Sequence, residues 1–189
     1  MTDTGKHIVA GVSQFRKLYS EIGRLLEQAD NFMGPQGWKP RTNTCYSSSA
    51  SVEKPEKWLP VVLCRLYYNP QQKGLFSFVS VILDDPDQEA QVLEPLVSAG
   101  WCDYGKKNAT DHGFVSGWAS CHVILPAPTY DGAMIVTDDK EWLEPEKYDI
   151  IRYGSLALPL TSMTSIETLK TKVIDPLLAE LCRPPSKAR

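Results

Sequence analysis

Leu59-Pro60-Val61-Val62-Leu63-Cys64-Arg65-Leu66-Tyr67-Tyr68, then Asn69-Pro70-Gln71-Gln72-Lys73-Gly74, then Leu75-Phe76-Ser77-Phe78-Val79-Ser80-Val81-Ile82-Leu83, is the stretch that decides the fold. Two β-branched and aromatic runs of strand length flank a short connection rich in turn residues, a pattern that predicts an antiparallel hairpin. Both runs are apolar at most positions, so both faces of the resulting sheet should be covered.

Working outward, Asp85-Pro86 followed by Gln88 reads as a helix start, with a side-chain cap, proline in the first turn and a capping partner. A helix over 86–99, ended by Gly100, is the expectation. Alternation over 114–125 predicts a half-exposed strand, and Asp131-Gly132 turns the chain into a strand at 133–137. Tyr148 to Leu158 supplies a fifth strand. Several connections are too short for crossovers, so the strands should be antiparallel.

At the amino-terminal end, Ile8, Val12, Phe15, Leu18, Tyr19, Ile22, Leu25 and Leu26 recur at spacings of three and four, with charged residues between them. Residues 7–29 therefore read as an amphipathic helix. At the other end, Thr164 with Glu167 forms a capping box before a periodic apolar stripe over 165–182, with a kink or restart expected at Asp175-Pro176. The fold class is thus α+β: a single domain over 1–189, with a five-stranded antiparallel sheet packed by an N-terminal, a middle and a C-terminal helix. Residues 31–58 read as a long irregular segment after the Gly34-Pro35-Gln36-Gly37 break, and 183–189 as a frayed tail. Small-ligand sensor domains of the GAF or PAS type have comparable element orders, a likeness of fold that carries no function with it.

Composition narrows the function classes. Hydrophobic residues make up 42% and charged residues 23% of 189, enough for an ordinary core, and no apolar run reaches membrane-spanning length. The acidic, non-apolar start predicts no secretory signal and a cytoplasmic setting. The net charge of −3 is unevenly spread: residues 59–150 carry 6 basic and 14 acidic side chains. An acidic middle between weakly basic ends disfavours nucleic acid as a partner. Cys45, Cys64, Cys102, Cys121 and Cys182 are odd in number and lack a Cys-x-x-Cys pair, so neither disulfides nor zinc are expected.

Candidate chemistry is sparse. Asp84, Asp85 and Asp87 suit helix capping better than a cation site. Of three histidines, Asp111-His112 in the loop 103–113 is the best enzyme candidate, yet no nucleophile or oxyanion-hole signature accompanies it. Cys121 and His122 are strand neighbours and point to opposite faces. No phosphate-binding or hydrolase motif is present, and no cofactor is implied.

What remains is aromatic residues and arginine, the types that dominate interface hot spots. Trp38, Arg41 and Tyr46 lie in the irregular segment 31–58 and are the expected anchors for a protein partner, with packing of Trp38 onto the first helix as the competing reading. The leading expectation is a non-catalytic binding or regulatory protein that associates with another macromolecule. A small-ligand sensor is the second, and a hydrolase or metal-dependent nuclease using Asp111, His112 and scattered carboxylates the third.

Overall fold

The computed structural model describes residues 3–46, 62–83, 94–105, 130–137 and 150–182, with backbone alone for residue 3 and for 42–46. Its centre is an antiparallel six-stranded sheet: β1 (Lys39–Tyr46), β2 (Val62–Tyr68), β3 (Leu75–Ile82), β4 (Leu96–Asp103), β5 (Ile135–Thr137) and β6 (Arg152–Pro159), in the order β1-β2-β3-β4-β6-β5. Helix α1 (Asp3–Met33) and a C-terminal helical segment pack on one face. The α+β class and the antiparallel sheet agree with the sequence reading.

The predicted hairpin is present, with Val62 opposite Ile82 and Tyr68 opposite Phe76. Its connection is an Asx turn in which the Asn69 side-chain oxygen accepts from the Gln71 amide at 3.0 Å, and Gly74 takes φ 90, a conformation that favours glycine. Side chains alternate between two buried layers. Leu63, Tyr67, Val79, Val81, Val97 and Leu156 face the helices, while Cys64, Leu66, Phe78, Cys102 and Tyr153 fill the opposite face. Phe78 and Tyr153 stack there with centroids 6.0 Å apart.

Two elements correct the sequence reading. Residues 96–99, assigned to the middle helix, belong to β4, and 84–93 lie outside the described residues. The run Leu96-Val97-Ser98-Ala99-Gly100-Trp101-Cys102 is buried on both faces, and such a run shows no period that separates strand from buried helix. Gly100 is not a helix terminator. A Cβ there would sit 2.2 Å from the Gly154 carbonyl oxygen and 2.6 Å from the Phe78 ring, so glycine lets two strands and an aromatic ring meet.

The second correction concerns the segment read as irregular. α1 continues through Met33, a 3₁₀ turn follows at Gly34–Gln36, and Gly37 (φ 83) turns the chain into β1. Among the described residues β1 is an edge strand, paired with β2 alone, which suits its polar sequence, and Pro40 sits beside its register shift. Residues 47–58, and the strand expected at 114–125, lie outside the described residues.

The C-terminal segment begins one residue later than its capping box implied. Ser165, not Thr164, is the cap, accepting from the Thr168 amide at 3.1 Å ahead of α2 (Ile166–Leu169). A π turn (Lys170–Ile174) leads into α3 (Asp175–Leu181). Pro176 sits in the first turn of α3, directly after the π turn, so the restart expected at Asp175-Pro176 takes the form of a change in helical pitch rather than a break. Asp175 does not cap; it accepts from Lys170 Nζ at 2.8 Å.

Candidate functional site

The three expected anchors do not form one patch. Trp38 is 2% exposed and lies in the core beneath α1, held by its amide to the Met33 carbonyl at 3.2 Å. That is the packing reading, and it leaves Trp38 no surface for a partner in this conformation. Arg41 lies over the Phe76 ring, 5.7 Å from its centroid, and Phe76 belongs to the opposite layer of the sheet. Tyr46 pairs with Val62 at the end of β1, and its side chain is outside the described residues. Asp111 and His112 are outside them as well.

One titratable cluster stands out. Asp30 on α1 accepts two hydrogen bonds from Arg65 of β2, one from Nε at 2.9 Å and one from Nη2, and a third from the Tyr67 hydroxyl at 2.9 Å. Burial, reinforced by the Asp30 carboxylate, pushes the Tyr67 phenol far above its ordinary range. The hydrogen bond to Asp30 likewise raises Arg65. Neither group can exchange a proton near neutral pH, and the bidentate geometry fixes the carboxylate. The cluster ties α1 to the sheet and offers no free base or nucleophile.

A second cluster is polar and unsatisfied. Ser80 and Ser98 face each other across β3 and β4, and Ser155 of β6 sits one diagonal away. All three are buried, and their hydroxyls have no hydrogen-bond partner among the described residues. By contrast Ser77, on the helix-facing layer, donates to the Gly100 carbonyl at 3.0 Å.

Among the described residues an apolar cleft of about 490 Å³ opens between α1 and the segment Leu160–Leu169. Ile22 and Leu169 form its buried floor, and Leu18, Leu25, Leu160 and Met163 its walls. Its rim is polar at Gln28, Thr164 and Ser165, and Glu21 and Arg24 neutralise each other there at 2.8 Å. Ile166 projects from the rim at 55% exposure. The sequence reading missed this cleft because its lining comes from two segments far apart in sequence, and Leu18, Leu25 and Leu169 looked like ordinary core faces of amphipathic helices.

Beyond the cleft the amino-terminal half of α1 carries more apolar surface. Ile8, Val9, Val12 and Phe15 are 64%, 56%, 47% and 46% exposed. Among the described residues no helix is long and apolar enough to cross a membrane, and no three His, Cys, Asp or Glu side chains converge as metal ligands. Compared with known protein families, with characterised proteins and with solved structures, the chain shows no match.

Proposed function

We propose that this chain is a non-catalytic binding protein that acts by associating with another macromolecule, a protein that lays an amphipathic segment into the cleft between α1 and Leu160–Leu169. The observation that carries the reading is an apolar floor and walls inside a polar, charge-balanced rim, with Ile166 standing exposed at the edge. From Leu18 to Gln28 the cleft follows α1 for about 15 Å, three helical turns, which suits i, i+3/i+4, i+7 anchors of a partner helix. A neutral rim favours burial of apolar surface over steering by charge.

The test compares wild type with Met163→Glu and Ile166→Asp, two substitutions at the cleft that leave its buried floor intact. Each protein is used to purify partners from its native host, and the enriched partner is then purified and titrated calorimetrically. The reading predicts one partner that binds wild type and is weakened by at least about tenfold in both variants at unchanged melting temperature. An identical set of co-purifying proteins for all three would contradict it.

The orphan hydroxyls of Ser80, Ser98 and Ser155 favour a second reading, a small polar ligand or ordered water held against the far face of the sheet. Buried hydroxyls that stay unpaired cost about 1–3 kcal/mol each. Ser98→Ala should therefore stabilise the protein if the site is empty, and destabilise it if a ligand or water bridges these groups.

A further inference from the structure

On the sheet face away from the helices, a row of small side chains crosses four strands. By register and alternation Cys64 of β2, Ser80 of β3, Ser98 of β4 and Ala157 of β6 lie side by side, with Ser155 one diagonal from Ser98. Larger residues bound the row: Leu66 and Phe78 along one side, Ile82 and Leu96 along the other. The Phe78 ring lies against Gly100 and stacks on Tyr153, the neighbour of Ser155 on this face. Ser80, Ser98 and Ser155 are 0%, 1% and 2% exposed, and their hydroxyls have no hydrogen-bond partner among the described residues. Ser77, on the opposite face, satisfies itself on the Gly100 carbonyl. The three on this face do not, so their donors and acceptors are offered to something lying on the sheet. Charge is distant: the Arg41 guanidinium sits over Phe76, four residues along β3 from Ser80, or about 13 Å.

We propose that this row binds a small, uncharged, flat ligand with hydrogen-bond donors and acceptors along one edge, the chemistry of a lactam or a heterocyclic base. A serine hydroxyl both donates and accepts, so a neighbouring C=O and N–H on one ligand edge complement Ser80 and Ser98 in either order. As directly opposed residues their Cβ atoms stand about 5 Å apart, close enough for two such adjacent polar atoms to reach both at bonds of about 2.9 Å. Ser155, on the diagonal at about 7–8 Å, meets a further polar atom of the same ring. The small side chains admit a flat body, and the stacked Phe78–Tyr153 pair gives it an aromatic wall. A charged ligand would be buried without a counter-charge, and a purely apolar one would leave three hydroxyls unpaired. The inference rests on the second reading above, a ligand or water at these hydroxyls, and narrows it to one ligand class.

Amide chemical shifts of the full chain, equilibrated with uracil, benzoate or toluene as probes of similar size, test it. Uracil should move the amides around Ser80, Ser98 and Ser155 in a saturable manner. Benzoate, which is charged, and toluene, which lacks polar atoms, should leave them in place. Ser80→Ala and Ser98→Ala, conservative changes that keep the fold, should each raise the uracil concentration at half-saturation about three- to tenfold. Met163→Glu, at the cleft on the other side of the sheet, should leave the uracil response unchanged. If Ser98→Ala destabilises the protein while uracil moves none of these amides, the hydroxyls hold ordered water alone: the second reading then survives and this inference falls. An equal response to benzoate, or a uracil response indifferent to both serine substitutions, would overturn it as well.

Discussion

The two halves of α1 have the same apolar period and opposite fates. From Ile22 to Met33 the stripe is sealed against β2, β3 and the C-terminal helices, and Asp30 is locked to Arg65 and Tyr67. From Ile8 to Phe15 the same stripe faces outward. Periodicity therefore reports that a face must be covered, without saying whether the cover is this chain or another. The difference between the halves is what directs attention to association.

The largest effects should come from the sealed half. Trp38→Ala should cost about 3–5 kcal/mol in urea or guanidinium unfolding, because it empties the core under α1. A loss below about 1 kcal/mol would show that Trp38 is not the core residue described. Next comes Asp30→Ala, which strands the Arg65 guanidinium and the Tyr67 hydroxyl. With Arg65 and Asp30 side chains 18% and 21% exposed, water offsets part of the penalty, leaving about 2–3 kcal/mol.

Tyr67 also predicts a pH dependence of defined sign. Its folded pKa is raised, so above about pH 10 the unfolded chain loses a proton that the folded chain keeps. Its contribution is complete below that pH and declines as pH rises. Melting temperature should fall more steeply with alkalinity in wild type than in Tyr67→Phe, and parallel curves would contradict the buried phenol. The smallest effect belongs to the exposed half: Gly11→Ala, with open space around the added methyl, should raise helicity of the arm by about 0.5–1 kcal/mol without altering the core. Backbone chemical shifts of residues 5–17 would report it.

Much of this architecture is legible in the sequence because local signals agree with tertiary demand. The hairpin at Tyr68–Leu75 is written in its turn residues, and both terminal helices in their stripes. β4 was illegible because burial on both faces erases alternation, and Gly100 serves a close approach between strands rather than a cap. β1 was illegible for the opposite reason: as a polar edge strand it lacks any apolar pattern. The candidate site was harder still. Trp38 and Arg41 are three residues apart in sequence yet serve opposite layers of the sheet. The cleft depends on the spacing between α1 and Leu160–Leu169, which no local pattern encodes.

Amide hydrogen exchange along α1, followed by mass spectrometry, tests the central claim most directly. The account predicts that amides of residues 22–33 are strongly protected and that those of residues 5–17 exchange rapidly. Equal protection along the whole of α1 would contradict it, because the exposed stripe would then be held as firmly as the sealed one.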